Sequence, residues 1–373
     1  MTVHLDISQL ALDPRRSGIQ RAERELIRHW PGPAPLQPCR YDPGARTMVD
    51  LPRSVLSLLC EDARPGGVEA ELRRLEPHLR PRGLSSPRLL LNAELFLDPA
   101  RALYYRDLPP GCRPFWLVYD FLPWLHPDWF APGSAARLMP YLQALRHIPD
   151  VAYISARTRD DHRDRILRRA VDEAGGGDGP VIPMGADGLG LERQAFDPGR
   201  RTFVMLGTIE PRKNAAAVMR AFQALWGEGV AAELVMIGTV APDAAEECAL
   251  LAELGGAPRF RLMQHASDAE VRAALRTARA MVFPSEGEGF GIPPMEALHA
   301  GVPVIVSSGL PALAGQPAAG QIRLDTVEPG SVAAAVRTML DDAEAARLWT
   351  EAAGLHVPGW ADFANATARW VQG

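Results

Sequence analysis

Lysine is all but missing from this 373-residue chain: of 40 basic side chains 39 are arginine, and the exception is Lys213. An ammonium is a compact, movable point charge that follows a phosphate oxygen, whereas a guanidinium is a rigid planar fork, so the one lysine marks a position where that difference counts. Apolar runs of the roughly 18–20 residues that cross a membrane are absent, which excludes a transmembrane helix. The opening Met1-Thr2-Val3-His4-Leu5-Asp6 lacks the basic-then-apolar layout of a secretory leader and reads as a strand, so a cytoplasmic location is expected. Only four cysteines occur, Cys39, Cys60, Cys112 and Cys248, without paired spacing, and neither a disulfide framework nor a zinc site follows. An excess of positive charge is lacking too. The net charge is −5, against general nucleic-acid binding. The arginines between 157 and 169 are interspersed with Asp160, Asp161 and Asp164, as on a solvated helix face.

What is present is a globular composition, 47% hydrophobic and 23% charged, on a chain long enough for two domains. Short apolar runs alternate with helical stretches, the pattern of parallel sheets flanked by helices. In the first half, strands are expected at Val3–Ile7, Arg88–Asn92, Phe115–Tyr119 and Val151–Ser155, with helices at Gly18–Trp30, Ser134–His147 and Arg157–Val171. In the second, strands are expected at Thr202–Leu206, Glu233–Ile237, Phe260–Met263, Ala280–Pro284, Val302–Ser307 and Gln321–Leu324. Helices are expected between them at Asn214–Trp226, Asp243–Leu254, Asp268–Ala278, Pro294–Ala300 and Ser331–Asp342. Residues 31–87 show only weak structure. Glycine-rich breaks near 175–180 and 185 give an N-terminal domain over 1–186, a linker over 187–200 and a C-terminal domain over 201–358. A last helix within 359–373 is placed to cross back onto the first domain. The fold class is therefore α/β: two doubly wound, Rossmann-like domains facing each other across a cleft at their strand ends, where ligands bind in such sheets.

Lys213 sits in Gly207-Thr208-Ile209-Glu210-Pro211-Arg212-Lys213-Asn214, between a strand and a helix start. A cation pair at the C-terminal end of a strand, beside a helix N-terminus, suits phosphate. The densest segment runs from Phe283 to Ala297, through Gly287, Gly289 and Gly291 and the helix-opening Pro293-Pro294. Gly289 and Gly291 let bare backbone N–H groups approach a ligand. Glu288 on the loop and Glu296 in the first helical turn can each accept paired hydrogen bonds from vicinal hydroxyls. Alone, two glutamates near a helix start do no more than complement the dipole, worth about 0.3–1 kcal/mol. The glycines, prolines and following strand in register favour a ligand. Gly287-x-Gly289-x-Gly291 is not a dinucleotide fingerprint, because its third glycine is misplaced.

With these motifs in place, the chain resembles the family-4 retaining glycosyltransferases, enzymes of the GT-B fold. Glu288 and Glu296 have that family's Glu-x7-Glu spacing, and Gly207–Asn214 is similar to its diphosphate-binding loop. A softer likeness runs through Ser17-Gly18-Ile19-Gln20-Arg21, Val118–Pro123, Ile154-Ser155 and Pro183-Met184-Gly185. The resemblance implies that Arg212 and Lys213 bind the donor diphosphate, with Gly207, Thr208 and the backbone N–H of Gly18. It implies that Glu296 holds the ribose and Glu288 the transferred sugar, while Gly289, Phe290, Gly291 and Ile292 complete the donor site. Arg212, Lys213 and Glu288 are thus the catalytic candidates. Asn92, Glu94, Tyr119 and Asp120, at first-domain strand ends, are the acceptor-side candidates. Tyr119 stands where many members carry histidine, and Met263–Asp268 lacks the glycine common where the base is bound.

In glycosyl transfer negative charge builds on the departing diphosphate, and fixed cations stabilise it selectively. No Asp-x-Asp occurs, so neither metal nor cofactor is expected; the nucleotide sugar is a substrate. The Ser-Gly-Ile-Gln-Arg and Tyr-Asp-x-x-Pro forms resemble polysaccharide mannosyltransferases, which makes GDP-mannose the leading donor and a saccharide or lipid-linked saccharide the acceptor. Such an enzyme would work in the cytoplasm, with peripheral contact at the inner face of the membrane. Two alternatives stay open: a nucleotide-sugar epimerase, which would isomerise its donor without an acceptor, and a catalytically silent GT-B subunit. Intact Arg212, Lys213, Glu288 and Glu296 argue against the latter.

Overall fold

The computed structural model describes residues 1–14, 17–61, 67–167 and 178–373, which form two compact units: Met1–Gly185 with Gly359–Gly373, and Ala186–Pro358. The expected helix end at Val171 and the break at Gly175–Gly177 lie outside the described residues.

The first unit carries β1 (Val3–Asp6), β2 (Leu36–Asp42), β3 (Thr47–Asp50), β4 (Gly83–Leu84), β5 (Leu89–Asn92), β6 (Arg113–Val118) and β7 (Asp150–Tyr153). Their order is β4-β3-β2-β1-β5-β6-β7, parallel from β2 to β7, with β3 antiparallel to both β2 and β4. Residues 31–87, expected to be weakly structured, therefore supply three strands and the helices Ser54–Leu59 and Gly67–Leu75. β2 contains Gln37, Pro38 and Arg40 and has no apolar run; register with β1 (Val3 opposite Leu36) makes it a strand. The C-terminal helix Trp360–Gln372 belongs to this unit and packs on the helix Gly18–Arg28 with Trp360 and Phe363 buried. A Cβ on Gly185 would lie 2.2 Å from the Trp360 nitrogen, so the chain passes there only as glycine.

The second unit carries β8 (Thr202–Leu206), β9 (Glu233–Ile237), β10 (Phe260–Met263), β11 (Ala278–Phe283), β12 (Val304–Ser307) and β13 (Gln321–Leu324), all parallel, in the order β10-β9-β8-β11-β12-β13. That is the doubly wound order, whose switch point falls between β8 and β11. The strands are nearly continuous apolar runs because helices cover both faces. Residues 187–200, expected as a linker, carry no helix or strand, yet Leu189 and Leu191 are buried and Gln194 N donates to Ala300 O at 2.8 Å. They are part of the second unit.

Candidate active site

Beyond β8 the chain turns through Gly207 into a tight turn over Pro211–Lys213, and Asn214, with a left-handed φ of 55°, opens the helix Ala215–Gly227. Asparagine adopts that conformation more readily than most residues. Its Nδ2 donates to Pro284 O at 2.9 Å, tying this loop to the end of β11, and Glu286 N donates back to Arg212 O at 2.8 Å. Gly238, just past β9, allows the approach, since a Cβ there would lie 1.9 Å from Gly207 O. The loops that follow β8 and β11 thus lie side by side at the switch point.

Between them is a compact charge cluster. Lys213 is only 8% exposed; its Nζ donates to Glu288 Oε1 and sits 4.8 Å from the Phe283 ring centroid. Arg212 Nη1 donates to Gly287 O at 2.6 Å and stands 3.3 Å from Glu288 Oε1, while its Nη2 lies 2.7 Å from Glu210 Oε1. Ser285 Oγ donates to the same Glu288 oxygen at 2.6 Å. One carboxylate therefore gathers two cations and a hydroxyl. Burial pushes the Glu288 carboxyl up, but Lys213 and Arg212 outweigh it and hold it below its ordinary range. Burial likewise draws Lys213 below the usual lysine range, against the pull of Glu288.

Thr208 is exposed on the first loop; Gly289 and Phe290 are buried on the second, with Phe290 O accepting from Ala312 N at 2.9 Å. Gly291 has φ 107°, and a Cβ there would lie 2.8 Å from Leu310 Cδ1, so any side chain is both strained and crowded. It opens the helix Ile292–His299. Glu296, expected in the first turn, is the fifth helical residue and 2% exposed, a turn deeper than its spacing suggested. In the loop after β10, where the family's glycine is lacking, His265 itself takes a left-handed φ of 56°.

Residues 191–355 match the family described as group 1 glycosyl transferases. Over 340 residues, 81% of this chain, the sequence is 27% identical to the serotype-specific mannosyltransferase WbdA of Escherichia coli, and the match covers 38% of that protein's length. Among solved structures, the Anabaena protein HepE in complex with UDP and glucose aligns with a TM-score of 0.67 over 100% of both chains at 13% identity. The sucrose-phosphate synthase of Thermosynechococcus elongatus aligns with a TM-score of 0.63 over 100% of this chain and 98% of that one, at 15% identity. Over the second unit the chain is thus similar to the group 1 glycosyltransferases. Its fold is GT-B.

The first unit holds the remaining candidates. Gly18 is the first residue of the helix Gly18–Arg28, which Ser17 caps by accepting from Gln20 N at 3.4 Å. Asn92, named above for the acceptor side, is wholly buried with both amide atoms engaged: Nδ2 donates to Glu94 O at 3.1 Å and Oδ1 accepts from Arg101 at 3.0 Å. It orders its neighbours and presents neither atom to a ligand. Glu94 accepts from Gln9 N at 2.9 Å, Leu10 N at 2.7 Å and Arg101 Nη2 at 2.6 Å. Tyr119 is buried, and Asp120 Oδ1 caps the next turn by accepting from Leu122 N at 3.0 Å.

Sequence reasoning missed Asp6, Arg101, Tyr105 and Ser285. Arg101 donates to Asp6 Oδ2 at 2.9 and 2.5 Å, and Tyr105 Oη donates to the same oxygen at 2.7 Å. The available signal was Asp6 itself, an acid ending an apolar strand.

Burial lifts Glu94 from 4.5 to about 7, with Asp6 adding to the push and Arg101 and two backbone N–H groups opposing it. The folded state thus holds a proton that the unfolded chain has released, so this group's contribution falls as pH rises from 4.5 to about 7. His162, drawn from 6.5 down to about 4 by burial, contributes the opposite slope over its own window. Relative to Glu94→Gln, the wild-type chain is therefore expected to lose stability between pH 5 and 7, by about 1.4 kcal/mol per unit at most. Paired denaturant melts check this; a wild-type-minus-variant difference that stays level across the window would contradict it.

Proposed function

We propose that this chain is a retaining, metal-independent glycosyltransferase. It would move a hexosyl group, mannose first among candidates, from a nucleoside diphosphate sugar to a saccharide or lipid-linked saccharide. The observation that carries the reading is the Arg212–Lys213–Glu288 cluster at the switch point of a doubly wound sheet. The two cations supply fixed charge for a departing diphosphate, and the helices beginning at Ala215 and Ile292 add their N-terminal dipoles. Without ligand, Glu288 occupies the cations' donor groups, so an incoming diphosphate takes its place. The displaced carboxylate is then free to accept from hydroxyls of the transferred sugar. The mannosyltransferase relative and the UDP and glucose bound by HepE support a nucleotide-sugar donor. Polysaccharide synthesis at the cytoplasmic face of a membrane would fit, and no helix among the described residues is long and apolar enough to cross one.

Thermal-shift screening against GDP, UDP and dTDP sugars identifies the donor, since a ligand at about 100 times its Kd adds roughly 2.7 kcal/mol of stability. Transfer with the donor so found is expected to survive EDTA, because Arg212 and Lys213 hold the charge that a metal would otherwise hold. Activity abolished by chelation and restored by magnesium would overturn the metal-independent part of the reading.

A further inference from the structure

Ser285, just past the end of β11, sits on a backbone fixed at three successive residues. Pro284 O accepts from Asn214 Nδ2 at 2.9 Å, Ser285 O accepts from Ser307 Oγ at 2.5 Å, and Glu286 N donates to Arg212 O at 2.8 Å. Those bonds leave the buried Ser285 side chain little freedom of position. Glu288, further along the same loop, is held differently. Gly287 and Gly289 flank it, and glycine gives the backbone on either side the widest choice of conformation. A pinned hydroxyl therefore faces a carboxylate whose chain can move.

A serine hydroxyl has one proton to give. The Arg212 and Gly287 carbonyl oxygens lie within reach at 3.4 and 3.3 Å, but the Glu288 carboxylate is nearer, at 2.6 Å, and charged, so the proton goes there. Of the three donors around that oxygen, Lys213 and Arg212 are cations and Ser285 is neutral. An arriving diphosphate competes for the cations by charge and has far less hold on a neutral hydroxyl. We infer that Ser285 is the pivot of Glu288, a positioning residue that keeps the carboxylate in the site while it leaves the cations for the transferred sugar. This role rests on the glycosyltransferase reading, in which Glu288 and the diphosphate take turns at Lys213 and Arg212.

Two consequences follow from a neutral partner that stays. Without the hydroxyl, a displaced Glu288 would lose its retained donor in a buried site, so its displacement, and with it diphosphate binding, becomes harder. The hydroxyl also bears on ionisation. Burial pushes the Glu288 carboxyl up, and Lys213, Arg212 and then Ser285 pull it down. Once the cations turn to the diphosphate, Ser285 remains to favour the charged form.

Titration calorimetry on the full chain with GDP, UDP and dTDP tests this without any transfer step. Ser285→Ala is expected to weaken the nucleoside diphosphate that binds the wild type by about tenfold, the scale of one hydrogen bond to a charged group. In a Glu288→Gln background the same substitution should change the affinity little, because no carboxylate remains to be displaced, and the double-mutant cycle isolates that coupling. Ser285→Thr keeps the hydroxyl and should recover most of the loss; should its added methyl disturb the fold, matched melting curves show it and the cycle decides. With the donor sugar, the acid limb of the kcat profile should move to higher pH in Ser285→Ala, whereas a loop merely loosened would lower kcat and leave the limb in place. Wild-type affinity in Ser285→Ala, an equal effect in both backgrounds, or an unmoved acid limb would overturn the inference. Nucleotide binding with that coupling but no sugar transfer would leave the pivot standing and remove the proposed function. Transfer without the coupling would do the reverse, and binding of none of the three nucleotides would remove both.

Discussion

Alanine at Lys213 is expected to lower the rate of glycosyl transfer by about 10²–10³ at saturating donor, the scale on which single fixed stabilisers of developing charge act. The fold should survive, because Glu288 keeps Arg212 at 3.3 Å and the Ser285 hydroxyl at 2.6 Å. Arginine at 213 should recover little of the loss. The ammonium is 8% exposed and 4.8 Å from the Phe283 ring centroid, and a guanidinium there would hold Glu288 as a bidentate fork instead of following the leaving oxygen. Steady-state rates with matched melting curves check both variants. Wild-type turnover in Lys213→Arg would show that the position needs charge alone.

Glutamine at Glu288 is expected to separate binding from catalysis in opposite directions. The amide no longer neutralises Lys213 and Arg212, so a nucleoside diphosphate has no carboxylate to displace. Its affinity should rise, by about 1.5–3 kcal/mol if one charge-assisted hydrogen bond is released. Turnover should fall by about 10² or more if, as proposed, this carboxylate meets the transferred sugar as it gains positive charge. Glu296→Ala should differ on both counts. Assigned to the ribose, which does not change during the reaction, it should weaken donor and free diphosphate equally and leave kcat nearly intact. Titration calorimetry with the diphosphate beside steady-state rates distinguishes the two. Equal loss of diphosphate affinity in both variants would remove these assignments.

The second unit was legible because buried parallel strands carry their own signature. Thr202–Leu206, Glu233–Ile237, Phe260–Met263 and Gln321–Leu324 form over the residues that their apolar runs predict. Gly207, Gly291 and Pro293 punctuate the loops for steric reasons that act within a few residues. The Glu-x7-Glu spacing and the lone lysine pointed to the same two loops. The first unit was harder. β2 reads as Leu36-Gln37-Pro38-Cys39-Arg40-Tyr41-Asp42, with no apolar run and no regular alternation, and becomes a strand only by pairing with β1 and β3. Propensity is a weak guide where cross-strand contacts decide.

Local sequence thus determined the second unit's strands, the loops that hold the candidate donor site and the identity of its cations. Tertiary structure decided which charges meet. Lys213 finds Glu288 75 positions away because β8 and β11 are neighbours in the sheet, and Arg101 finds Asp6 95 positions away because β1 and β5 are. The same packing buries Glu23 and leaves its oxygens without a hydrogen-bond partner among the described residues. No spacing along the chain carries these outcomes, because the energy that fixes them is that of strand order and burial, which act between segments and not along them.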